Sequence, residues 1–306
     1  MSDLILTLPV ELGNIIKFVH FLDNHRLVIS TLLGSVSIWE FEIQSKSFEL
    51  LKSIDAKGGH LMDVCISSDE KYIITAHGTL QDYSHNYIKF WDLNSGDCVY
   101  TIDGHAFPVQ NIRIAWSSKR MIYSSGPSLV VWDIESNKNV TSFNKHRKTI
   151  RSLEISKNER NIYSICKNKI YCWDLDNQVE TSSSNISEVF QICCLMNGSI
   201  AAICGEKEET RHIQILNSYY DVQSTLFKDK PTKIIVCNSY SRQNVILRFS
   251  GEILEIVDID TLKILLSIQD REISPSCFAI SENDIVAVND DTGNRNAIHL
   301  YSIPQV

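Results

Sequence analysis

The dipeptide Trp-Asp occurs at Trp91-Asp92, Trp132-Asp133 and Trp173-Asp174, each copy 41 residues after the one before. A His opens the same intervals: His60 and His105 follow Gly59 and Gly104, His146 follows Lys145, and they stand 31, 27 and 27 residues ahead of the three tryptophans. In the middle copy, residues 104–133, apolar runs at Val109 to Ile114, Met121 to Ser124 and Leu129 to Trp132 are separated by the polar turn Ser117 to Arg120 and by Gly126-Pro127. That pattern reads as three short strands with two turns, and Asn139 to Phe143 supplies a fourth. A period near 40 made of four strands is the signature of a propeller blade, because one small sheet cannot cover both of its own faces and must stack on copies of itself.

Beyond the regular copies the dipeptide decays while its spacing persists. Trp39-Glu40, Leu216-Asn217, Val257-Asp258 and Tyr301-Ser302 continue the series, so the expected fold is all-β, a seven-bladed propeller of four-stranded antiparallel blades formed by a single domain over residues 1–306. The one long interval, 52 residues from Trp39 to Trp91, is assigned to an insertion at 77–87 between the second and third strands of blade 2. The last repeat lacks a fourth strand and residues 3–9 form a strand with no partner of their own. The N-terminal strand is therefore expected to complete blade 7 and close the ring.

The Gly-His openings and Trp-Asp endings resemble the WD40 repeat family, most closely in the three consecutive copies. In that family the His, a hydroxyl on the second strand, an Asp in the following turn and the Trp form one hydrogen-bonded set. The resemblance implies structural roles for His60, His105 and His146 paired with Trp91, Trp132 and Trp173, and for Asp92, Asp133 and Asp174. The turns Ser125 to Ser128 and Cys166 to Lys169 contain no Asp, so the orienting carboxylate is missing there. The resemblance also implies a rigid platform. The Trp-Asp-x-Arg signature of propellers that dock ubiquitin-ligase substrates is not met, since Asn94, Glu135 and Asp176 occupy its last position. The paired arginines of phosphoinositide-binding propellers are reduced to Arg248 in Leu247-Arg248-Phe249-Ser250-Gly251.

Composition narrows the functional classes. Hydrophobic residues make up 43% and charged ones 22% of the chain, enough for a shared core without a long disordered tract. The net charge of −8 disfavours direct nucleic-acid and membrane-surface binding by the molecule as a whole. The nine cysteines form no Cys-x-x-Cys pair and sit mostly in apolar runs, which fits reduced thiols in a cytoplasmic or nuclear protein. No basic segment precedes the first apolar run, which Glu11 ends, so neither a signal peptide nor a membrane-spanning segment is expected.

No Gly-x-Ser-x-Gly, His-Glu-x-x-His, phosphate-binding loop or paired zinc spacing occurs. No catalytic, metal or cofactor site is assigned, and the chain is read as a non-enzymatic scaffold or complex subunit. The expected partner is a protein or peptide, with an acidic or phosphorylated motif fitting best. The candidate partner-binding residues are Tyr83, His85 and Tyr87 of the aromatic insertion and Lys145, Arg147 and Lys148 of the densest basic stretch, 145–151. Aromatic and Arg side chains carry most interface energy, and a cationic cluster clamps acidic groups. Two alternatives use other chemistry: a nucleic-acid-associated subunit acting through 145–151, and an enzyme with a site in the central channel. The acidic run Glu206 to Glu209 argues against many phosphate contacts.

Overall fold

Short runs rich in Val, Ile, Leu and aromatic residues form most of the inner strands, because such side chains pack well on a pleated sheet, whereas fourth strands such as Val179–Asn185 are largely polar. A computed structural model describes residues 4–9, 15–56, 58–67, 69–79, 85–195, 197–205, 207, 210–227, 233–237, 245–250, 253–269, 277–281, 283–290 and 297–303. The strands are β1 (Leu4–Pro9), β2 (Ile16–Phe21), β3 (Arg26–Thr31), β4 (Ser35–Glu42), β5 (Ser47–Asp55), β6 (His60–Ile66), β7 (Tyr72–Gly78), β8 (Ile88–Asp92), β9 (Cys98–Ile102), β10 (Val109–Ala115), β11 (Arg120–Ser125), β12 (Ser128–Asp133), β13 (Lys138–Phe143) and β14 (Ser152–Ile155). They continue as β15 (Asn161–Cys166), β16 (Lys169–Asp174), β17 (Val179–Asn185), β18 (Val189–Cys194), β19 (Ile200–Cys204), β20 (His212–Leu216), β21 (Val222–Leu226), β22 (Lys233–Cys237), β23 (Val245–Ser250), β24 (Ile253–Asp258), β25 (Ile264–Gln269), β26 (Phe278–Ile280), β27 (Ile285–Asp290) and β28 (Ala297–Ser302).

The chain divides into two compact units, one of Met1–Gly58 with Thr232–Val306 and one of Gly59–Pro231. Both are built of propeller blades, each a four-stranded antiparallel sheet. The first unit holds the sheets β2-β3-β4-β5, β22-β23-β24-β25 and β1-β28-β27-β26. In the last of these the N-terminal strand pairs with the C-terminal one, Thr7 opposite His299 and Leu8 opposite Ile298. That pairing is the one expected for residues 4–9; Asp3 lies outside the described residues. The second unit holds β6-β7-β8-β9, β10-β11-β12-β13, β14-β15-β16-β17 and β18-β19-β20-β21.

Within each unit successive blades share their cores. Ile74, Phe90, Ile112, Met121 and Tyr123 form one cluster across two neighbouring sheets, and Ile122, Val131, Leu153, Ile162 and Trp173 form the next. The inner strands are consequently buried on both faces, as in Leu27-Val28-Ile29 and Ile200-Ala201-Ala202-Ile203. This is why they read as continuous apolar runs and not as an alternation. The fourth strands, such as β13 and β21, are mostly exposed.

The Trp-Asp dipeptide acquires a mechanical reason in this geometry. The register of the third and fourth strands shifts at Trp39, Trp91, Trp132, Trp173, Leu216 and Val257, so a bulge re-aims the side chain at that position. The following Asp then caps the hairpin: Asp92 accepts from the Asn94 and Ser95 amides at 2.9 and 2.8 Å, Asp133 from Ser136 at 2.6 Å, and Asp174 from Asn177 at 2.7 Å. The hairpins close through left-handed residues, among them Lys46, Gly96, Asn137 and Gln178.

One boundary differs from the sequence reading. The insertion placed at 77–87 begins later, since His77 and Gly78 end β7 and only 79–87 connect it to β8. Gly78 is required there, because a Cβ would fall 2.3 Å from Pro108. Trp173, 1% exposed and stacked on Phe143 with ring centroids 4.6 Å apart, is the largest fully buried side chain. Trp173→Ala should lower stability by about 3–5 kcal/mol in urea unfolding followed by circular dichroism. Trp39→Ala, at a half-buried ring, should cost clearly less.

Candidate functional site

The His–hydroxyl–Trp sets implied by the family resemblance form to different degrees, and strand register decides which. In the sheet of β14 to β17, Ile162 faces Trp173, so two residues further along β15 Ser164 comes under the indole. Trp173 Nε1 donates to Ser164 Oγ at 2.8 Å, and Ser164 Oγ lies 2.9 Å from His146 Nε2. The imidazole is buried, its Nδ1 makes no regular hydrogen bond, and burial pushes its pKa down to about 4 against smaller opposing effects of Glu180 and the Pro127 carbonyl. No Asp completes the set.

In β7 the same register puts Thr75 under Trp91, and the indole donates to Thr75 Oγ1 at 2.9 Å. The expected pairing of His60 with Trp91 is corrected: His60 is exposed at the start of β6. The pairing of His105 with Trp132 is corrected too. The equivalent position in β11 is Tyr123, which fills the space a small hydroxyl residue would leave, and His105 packs edge-on against it at 5.2 Å. Among the described residues Trp132 Nε1 has no hydrogen-bond partner, while His105 Nδ1 binds the Asn86 carbonyl at 3.1 Å.

The candidate partner-binding residues separate into two places. Tyr83 lies outside the described residues. Tyr87 is 7% exposed and packs on the buried His77 with centroids 4.8 Å apart, so its expected role at a binding surface is corrected to a core role. His85 is half-buried, its backbone close over Gly59. Neither Tyr87 nor His85 lines the cleft of the basic loop.

Lys145, Arg147 and Lys148, by contrast, line one cleft of about 470 Å³ in the second unit. Its other walls are the turn between β15 and β16, with Cys166, Lys167, Asn168 and Lys169, the ring of Tyr171, and Asn185, Ile186 and Ser187 after β17. Two of these chain segments, 145–148 and 167–169, therefore bring five cations together, and the third adds only neutral walls. The loop is held by its backbone: the Ile150 amide donates to the Gly126 carbonyl at 3.0 Å, the Ile186 amide to Asn168 at 2.8 Å, and the Cys166 thiol to the Lys148 carbonyl at 3.2 Å. Lys145 is neutralised by Glu180 at 2.8 Å, and although burial opposes it, the bond and charge of Lys145 hold Glu180 below the usual carboxylate range. Lys169 lies 4.7 Å above the Tyr171 ring. Among the described residues Arg147, Lys148 and Lys167 have no carboxylate within ion-pair distance.

Lys167, Lys169 and Tyr171 are not legible as a site from the turn alone, because nothing local ties them to the 145–148 loop. A comparison of each position with its counterpart 41 residues earlier would have found them. A second feature also escaped the sequence reading. Arg113 on β10 binds Asp63 of β6 at 2.9 Å and Glu154 of β14 at 2.8 Å, tying three neighbouring first strands. Burial works against the guanidinium's charge, but Glu154 and then Asp63 more than offset it and raise the Arg113 pKa. Partners 41 and 50 residues away leave no local pattern to read.

Among the described residues no group of three or more His, Cys, Asp or Glu is placed to hold a metal ion, and no helix is long and apolar enough to cross a membrane. Burial sets a pH dependence through His77, pushed down to about 3, and His146, at about 4. Above the ordinary histidine range both are neutral folded or unfolded. As pH falls below about 6.5 the unfolded chain takes up the protons first, so stability should drop between about pH 6.5 and 3, the His146 share being lost by about pH 4 and the His77 share by about pH 3. Thermal melts across that range check this, and His77→Gln should flatten the slope. No protein-family model matches the chain, and no curated protein matches it.

Proposed function

We propose that this chain is a non-catalytic WD40-type platform of seven four-stranded blades which docks an acidic segment of a partner protein at the 145–148 loop. The observation that carries this reading is the cationic cleft. Arg147, Lys148 and Lys167 line it together, with no carboxylate of the described residues within ion-pair distance, in a chain of net charge −8. Like charges held together without counter-ions destabilise a surface, and an anionic partner removes that cost. The rigid blade interfaces beneath the loop favour a platform, since little ordering entropy is lost on binding. The eight cysteines whose side chains are described form no disulfide with one another, which favours a reducing compartment, the cytoplasm or nucleus.

Arg147 and Lys148 are exposed, so Arg147→Glu/Lys148→Glu should leave the thermal melt in place. Quantitative co-purification of the tagged protein from its own cells should show stoichiometric partners with the wild type and at least a tenfold loss of a subset with the variant. An unchanged partner set would remove this cleft as the docking site. Retained nucleic acid whose affinity falls steeply with salt would replace the protein partner by a nucleic-acid one.

A further inference from the structure

The blade formed by β10 to β13 is an internal control for the cleft, because its residues recur 41 positions later in the blade formed by β14 to β17. Tyr123 corresponds to Ser164, Trp132 to Trp173 and Ser125 to Cys166. The last pair makes the same contact in both blades: Ser125 Oγ donates to the Phe107 carbonyl at 2.8 Å, and Cys166 Sγ to the Lys148 carbonyl at 3.2 Å. The five cations of the cleft, Lys145, Arg147, Lys148, Lys167 and Lys169, therefore stand where the preceding blade has Gly104, Ala106, Phe107, Gly126 and Ser128. The blade forms with neutral residues at every one of these positions, so the fold does not require the charges. Lys167 is costlier than its counterpart, since it occupies the left-handed region at φ 56° where Gly126 sits at φ 57°.

From this we infer that the cleft receives a phosphorylated serine or threonine of the partner segment, and that Phe107 holds an apolar residue of the same segment. The inference rests on the docking function proposed above and specifies its ligand. With Lys145 bound to Glu180 and Lys169 over Tyr171 and near the same carboxylate, Arg147, Lys148 and Lys167 remain for the occupant. A carboxylate brings one negative charge, whereas a phosphoryl group brings about 1.5 to 2 and three acceptor oxygens, which match several donors converging from separate segments. The remaining lining, Tyr171, Ile186 and Asn185, suits the stem and backbone of a peptide.

Phe107 is 45% exposed although its ring lies across Gly126, where a Cβ would meet it at 2.6 Å. The Gly126 carbonyl in turn receives the Ile150 amide, so the ring sits one blade from the cleft on the same run of loops. Neighbouring sheets stack about 10 Å apart, a distance that extended chain covers in about three residues. The bound segment should therefore carry its apolar residue about three positions from the phosphorylated one. A nucleic acid is disfavoured because a single small cleft on an acidic chain meets few phosphates.

The test uses the full chain and three matched peptide pools, degenerate around a fixed central position that is phosphoserine or phosphothreonine, the unmodified residue, or Glu. The phosphorylated pool should bind at least tenfold more tightly than the other two, with an apolar residue enriched about three positions away. Arg147→Glu/Lys167→Glu should abolish that preference. Lys148→Glu serves as a second charge reversal, and thermal melts confirm that each variant folds. Phe107→Ala should keep the phosphate preference and lose the apolar enrichment.

Equal binding of the Glu and phosphorylated pools would overturn the phosphate assignment and leave acidic-peptide docking standing. Binding of no pool would remove both. Retention of phosphoinositide vesicles or single-stranded RNA in place of peptide would overturn the proposal in favour of that ligand. A phosphate preference unchanged in both charge-reversal variants would place the binding elsewhere and overturn it as well.

Discussion

Each blade is apolar on both faces, and nearly everything else follows from the need to cover them. A single four-stranded sheet leaves Ile112, Met121 and Tyr123 on one face and Ile122, Leu129 and Val131 on the other. Water on either face would forfeit roughly 25 cal/mol for every Å² of apolar surface exposed. Neighbouring blades supply the cover, so the cores lie between sheets and not within them. The price of this arrangement is a free edge wherever the series stops, and in the first unit β1 meets it by pairing with β28.

Because packing lies between blades, the loops at their ends are free to vary. The two blades of β10–β13 and β14–β17 share bulge, capping Asp and closing hydrogen bonds, yet one presents Phe107 over Gly126 and the other a ring of cations. The carboxylate-mediated ties lie away from the cleft: Arg113 joins Asp63 and Glu154 on the first strands, and Glu159 accepts from the Trp116 and Ser117 amides at 3.1 and 2.9 Å, while at the loop the blades are tied by the backbone bond from Ile150 to Gly126. Charge at the cleft can thus change without loosening the stack beneath it.

The hydrogen-bonded sets show how narrowly register controls chemistry. Trp173 and Trp91 find a hydroxyl because the residue two places beyond their cross-strand partner is Ser164 or Thr75. Trp132 meets Tyr123 at that place and, among the described residues, goes without. Trp39 meets Ile29 and turns instead to Ser37 on its own strand, at 2.9 Å. A buried donor left unpaired costs about 1–3 kcal/mol, so the copies are not energetically equivalent even where the dipeptide is identical.

The sequence by itself determined the strand pattern, the four-strand blade, the role of the N-terminal strand and the basic loop, because each rests on short-range regularities: apolar runs, turn residues, a 41-residue period and a local run of charge. The tertiary structure alone decided that Tyr87 is core, that His60 and His105 do not reach their tryptophans, and that Lys167 and Lys169 join Lys145, Arg147 and Lys148 around one cleft. Those outcomes depend on which side chains from separate strands meet in space. Burial and cross-strand register set that, and neither is written in the order of residues along any one strand.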